Sequence, residues 1–148
     1  MALTMSGEVQ IPASRETVYA KLNDPEVLKQ CVPGCESLEK LSDTEFHAVS
    51  VMKIGPVKAK WGGKVTLSDL DPPNGYKITG EGQGGVAGFA KGGASVQLVE
   101  KDGGTLLKYD VEAQIGGKLA QLGQRLIAGA AKKMADDFFV KFARSEEH

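Results

Sequence analysis

Apolar and polar residues alternate one by one along most of the chain, and the period lengthens to that of a helix in only a few places. In residues 4–11, Met5, Gly7, Val9 and Ile11 fall on one side and Ser6, Glu8 and Gln10 on the other, the pattern of a half-buried strand. Pro12 ends it. Ser14 can cap a helix carrying Val18, Tyr19 and Leu22, with Thr17 where a full capping box would have Glu or Gln. Asp24 and Pro25 open a second short helix as cap and first helical residue, with Val27, Leu28 and Cys31 on its buried edge. Val32-Pro33-Gly34 is a turn.

From Cys35 the period of two returns. It predicts strands near 35–41, 44–54, 57–69, 75–83, 90–101 and 104–115. The breaks are Ser42-Asp43, Gly55-Pro56, residues 71–75, a glycine-rich link at 84–88, and Asp102-Gly103-Gly104. Such short turns make neighbouring strands antiparallel. Gly116-Gly117 ends the sheet, and residues 118–144 read as one helix about 40 Å long. Leu119, Leu122, Leu126, Ala130, Met134 and Phe138 recur three and four apart, and Ile127, Ala131 and Phe142 widen the stripe. Residues 145–148 are expected to fray.

The expected fold is an α+β roll forming a single domain over residues 1–148. Its sheet has about seven strands, preceded in part by two short helices. One face of that sheet is dry, and the last helix is the element large enough to cover it. Each later strand places a small residue on the dry face: Ser50, Ala59, Gly63, Gly80, Gly82, Gly92, Ala94 and Ala113. The helix adds Gly123, Ala128, Gly129, Ala130 and Ala131. Small residues on both walls leave volume that a core at native density would fill. The expectation is an apolar pocket for a hydrophobic small molecule, walled by Met52, Trp61, Tyr109, Leu126 and Met134. The alternative is close packing of helix on sheet, or glycines that let the sheet bend.

Charge narrows the partners. The net charge is −1, and no basic helix is interleaved with aromatics, which argues against nucleic acid. No apolar run reaches 18 residues, and the N-terminus lacks the basic and apolar regions of a signal peptide. The expected compartment is the cytoplasm, where Cys31 and Cys35 would be reduced.

Candidate chemistry is sparse. Two cysteines and two histidines do not make a zinc site at this spacing, so no metal is expected and both thiols read as structural. His47 reads as a surface residue, and no catalytic residue is assigned. Lys58, Lys60 and Lys64 share one outward face. They form either a solvated surface or a patch for an acidic partner or anionic lipid headgroups. The glycines of 80–93 match no phosphate loop. Phe89 among them is expected to gate the pocket. The inward set holds Ser50 and Tyr109 but no Asp, Glu, His or Lys, which favours binding over a cyclase- or hydrolase-like enzyme. A pure interaction module with a filled core is the third reading.

Asp24-Pro25-Glu26-Val27-Leu28 followed by Cys31-Val32-Pro33-Gly34-Cys35-Glu36 resembles the signature of the carbon monoxide dehydrogenase G-subunit family. The Ile54-Gly55-Pro56-Val57 turn and the glycine-rich 80–93 segment fit as well, and the likeness spans the chain. The resemblance implies the helix-grip fold of START proteins and the birch pollen allergen. It also implies a non-catalytic accessory role beside carbon monoxide dehydrogenase or a related molybdenum hydroxylase, in assembly or recruitment. A lipid or quinone in the cavity and peripheral contact at the inner face of the membrane belong to the same expectation, with no cofactor required. Many members carry a C-terminal extension suited to membrane attachment; these residues, ending at His148, are not expected to anchor in one.

Overall fold

A computed structural model describes residues 1–144. Seven strands make one antiparallel sheet: β1 (Ala2–Ile11), β2 (Cys35–Ser42), β3 (Glu45–Ile54), β4 (Val57–Asp71), β5 (Gly75–Gln83), β6 (Phe89–Lys101) and β7 (Gly104–Gly116). Their order is β1-β7-β6-β5-β4-β3-β2, a meander closed by the first strand pairing with the last. β1 and β2 therefore lie at opposite edges. The link between them holds α1 (Arg15–Leu22) and α2 (Pro25–Cys31). Both helices are capped as their sequences require. The Ser14 hydroxyl accepts from the Thr17 amide at 3.3 Å and the Asp24 carboxylate from the Glu26 amide at 2.9 Å.

The turn from α2 into β2 explains the Pro-Gly-Cys motif. Gly34 has φ +67°, in the left-handed region. Its carbonyl accepts the Val51 amide at 2.9 Å. A Cβ at Gly34 would run into the Val51 carbonyl oxygen. Gly34→Ala is expected to cost about 1–3 kcal/mol. The urea midpoint reads this, and an unchanged midpoint would contradict it.

The C-terminal helix departs from the expected 118–144. Gly117–Leu122 is a 3₁₀ segment, and α3 runs from Gln124 to Arg144. The break is Gly123, whose φ of +90° no continuous α-helix accommodates. The Gly123 amide donates to Ala120 in closing the first segment, and its carbonyl accepts from Ile127 to start the second. Residues 145–148, expected to fray, lie outside the described residues.

The strand alternation holds through most of the sheet, with register shifts interrupting β2 and the end of β4. Phe46, Ser50, Ile54, Trp61, Leu67, Tyr76, Val96, Leu98, Leu107 and Ile115 are all buried, as their inward positions require. Beneath α3 the core divides into two clusters. One gathers Ile11, Val18, Leu22, Phe46, Tyr76, Leu107 and Phe142 beneath the helix's C-terminal half, with α1 and α2. The other gathers Leu3, Ile54, Trp61, Ala87, Ile115, Leu119 and Ile127 beneath its N-terminal half.

Candidate functional site

The two clusters are filled differently. In the first, aromatic rings occupy the space between helix and sheet. Tyr109 of β7 stacks on Phe139 with centroids 5.4 Å apart, and Phe138 contacts both Phe139 and Phe142, at 5.0 and 5.9 Å. The Tyr109 hydroxyl lies over Gly7, where a Cβ would be 2.5 Å from the oxygen. Tyr76 is buried in this cluster, edge-on to Tyr19 at 5.5 Å. Burial raises the pKa of its hydroxyl, and the neighbouring Tyr19 raises it further.

The second cluster lines a partly open cavity of about 170 Å³. Its wall is Leu3, Met52, Ile54, Trp61, Ala90, Ile115, Leu119, Ile127, Ala130, Ala131 and Met134, every one an apolar side chain. Strand register brings them together. Ala90 lies opposite Ile115 on one ladder, and Met52 lies next but one to Ser50, the partner of Trp61, on another. α3 adds Ile127, Ala130, Ala131 and Met134 from one stripe. The two alanines stand where larger residues would close the space. Trp61 is buried, and Gly84 lies flat enough on its indole that a Cβ would sit 2.8 Å from the ring.

The residues singled out from sequence scatter around this wall. Met52, Trp61, Ala130, Ala131 and Met134 belong to it. Ala59 packs in the same cluster without facing the space. Leu126 is 40% exposed at the rim, its methyls against the Gly55 turn. Ser50 is buried and inward but outside the wall. Gly63, Gly80, Gly82 and Ala94 also face inward without lining it. At Gly63 a Cβ would meet the Glu81 carbonyl oxygen at 2.6 Å, so there the missing side chain permits close strand approach. Tyr109 lies on the aromatic side.

Phe89 does not sit over the cavity. It pairs with Gly116 while Ala90 and Ile115 face the wall, so its ring lies on the outer face of the sheet, across Gly116.

Leu3, Ile54, Ala90, Ile115, Leu119 and Ile127 complete the wall without having been singled out. Ile54, Ala90 and Ile115 lie at the ends of inward alternations. Leu3 lies two residues before Met5 in a strand that begins earlier than expected.

The lysine face is partly neutralised. Lys60 pairs with Glu36 at 3.1 Å and Lys64 with the half-buried Glu45 at 2.6 Å. Lys58 stands opposite Lys53 across the Gly55-Pro56 hairpin. A larger, more open groove of about 600 Å³ lies on the outer face, among Thr4, Ser6, Lys77, Thr79, Asp110 and Glu112. Cys31 is buried, and burial pushes its thiol pKa up against the opposing pull of Lys141 and Lys21. A thiol held protonated is a poor nucleophile and a poor metal ligand. No group of three or more His, Cys, Asp or Glu among the described residues is arranged to hold a metal. No helix among them is long and apolar enough to cross a membrane.

This architecture recurs in solved structures. A START superfamily protein from Mycobacterium smegmatis superposes with TM-score 0.74 at 16% identity, covering 97% of each chain. Ara h 8.0201 does so at 0.69 and 15%, covering all of both. At such identity these likenesses show the fold alone, the helix-grip fold of START proteins and the birch pollen allergen. A conserved protein from Geobacillus kaustophilus is nearer, with TM-score 0.91 and 35% identity over 97% of this chain and 94% of that one. Comparison with curated protein sequences gives no match. The family of the carbon monoxide dehydrogenase G subunit (CoxG) matches residues 7–145. With nearly the whole chain matched, from β1 to the end of α3, the protein belongs to the CoxG family.

Proposed function

We propose that this chain is a non-catalytic accessory protein that holds a hydrophobic small molecule between the sheet and α3. In this reading it serves carbon monoxide dehydrogenase or a related molybdenum hydroxylase, in assembly or in recruitment to a membrane or quinone. One observation carries the binding part: eleven apolar side chains line about 170 Å³ of partly open space between the sheet and α3. Preformed apolar cavities with few polar groups are the usual form of small-molecule sites. No wall residue can give or take a proton, which favours holding a ligand over transforming it. Family membership supports the partner enzyme. The outward face of Lys58, Lys60 and Lys64, of which the last two also pair with Glu36 and Glu45, supports contact with an acidic surface, of a partner or of anionic lipid at the inner face of the membrane.

Native mass spectrometry of the purified chain, followed by organic extraction, tests the binding part. The expected result is an adduct that solvent removes and that contains a lipid, quinone or other apolar molecule. A bare chain mass, with nothing enriched in the extract over a heat-denatured control, would overturn it.

A further inference from the structure

We propose that the cavity accepts only an unfunctionalised hydrocarbon group of about one ring in size, so that any polar part of the ligand stays outside it. This rests on the ligand-binding reading above and sharpens it to a chemical class. Three observations converge.

The first is volume. An apolar cavity of roughly 150 Å³ stays dry and takes one benzene. The 170 Å³ here is of that size. It accepts an alicyclic or aromatic ring, or the folded end of an alkyl chain.

The second is the wall. Each of its residues is Leu, Ile, Met, Ala or Trp. Ser50 and Tyr109, the polar side chains nearest in the inward alternation, do not reach the space. Ser50 is buried outside the wall, and the Tyr109 ring is held between Phe139 and Gly7. The lining presents no polar atom to the space, the Trp61 indole N–H included, so a carbonyl or hydroxyl placed inside would lose its water and find no partner.

The third is the closed far end. Tyr109, Phe138, Phe139 and Phe142 fill the other half of the space under α3, so a longer ligand cannot extend in that direction. At the other end Leu122 and Leu126 lie against the Gly55 turn, one residue beyond the wall residue Ile54.

The chain holds one tryptophan, Trp61, and it lies in the wall, so its emission reports occupancy. Methylcyclohexane and cyclohexanol are near-isosteric probes that do not absorb at the exciting wavelength. Each is titrated against Trp61 fluorescence, with calorimetry as a second readout. The expected result is methylcyclohexane binding about 100-fold tighter, the scale on which a hydrophobic pocket separates a methyl from a hydroxyl. In Ser50→Ala the ratio should not change. Cyclohexanol binding within about threefold of methylcyclohexane would overturn the hydrocarbon-only inference while leaving ligand binding intact. So would a ratio that rises in Ser50→Ala, because it would place that hydroxyl in contact with the ligand. Binding of neither probe would overturn the ligand-binding reading itself.

Discussion

Phe142→Ala is expected to lower the unfolding free energy by about 3–5 kcal/mol and to leave the affinity for a hydrocarbon probe within about twofold. Phe142 is the largest fully buried side chain, with no exposed surface, and its ring stacks on Phe138 at 5.9 Å. It closes a cluster that joins α1, α2 and six of the strands to the last turns of α3. The space left by its removal cannot collapse easily, because the neighbours come from separate elements. For a chain of this length the midpoint of thermal unfolding should fall by roughly 10 °C, read by calorimetry. The cavity belongs to the other cluster, so binding at low temperature should persist. A loss of binding in parallel with stability would show that the two halves under α3 act as one unit.

Ala131→Phe is expected to do the reverse. Ala131 faces the cavity from the middle of α3, beside Ala130 and one turn from Ile127 and Met134. A phenyl ring there occupies the space that a one-ring ligand would use. The affinity for methylcyclohexane, read from Trp61 emission, should fall about 100-fold, equivalent to roughly 2.7 kcal/mol. Stability should change by less than about 3 kcal/mol in either direction, because new apolar contact offsets the crowding and the two methionines can adjust. Unchanged affinity in a folded Ala131→Phe variant would mean that the probe binds elsewhere. The pair of variants thus separates the half of the core that holds the fold together from the half that holds the ligand.

Much of this was legible in the sequence, for a physical reason. A strand with one dry face must alternate, so the inward sets of β3 to β7 could be read residue by residue, and the wall residues Met52 and Trp61 with them. The caps at Ser14 and Asp24 were legible because few residue types can satisfy a free helix N-terminus. What stayed hidden depends on how side chains meet across distant elements. Small inward residues occur along the whole sheet, yet space opens only over the half beneath the first turns of α3. The other half is filled by Phe138, Phe139 and Phe142 packed against Tyr109, a match set by the angle of the helix and not by its period. The helix boundary is hidden in the sequence because Leu119 and Leu122 keep the spacing of the stripe although Gly123 breaks the backbone between them and Leu126. Glycine-rich surroundings alone suggest a gate at Phe89. The register with Gly116 turns it to the opposite face, and the alternation with Ala90 contained that signal.

The most direct test is a crystal of the chain exposed to bromocyclohexane vapour, whose bromine is close in size to the methyl of methylcyclohexane and needs no hydrogen-bond partner, with data collected at the bromine edge. The expected result is an anomalous peak enclosed by Met52, Trp61, Ile127 and Met134, with those side chains close to the positions described. Met52 and Met134 swung together to fill the space, with no bromine between helix and sheet, would contradict it.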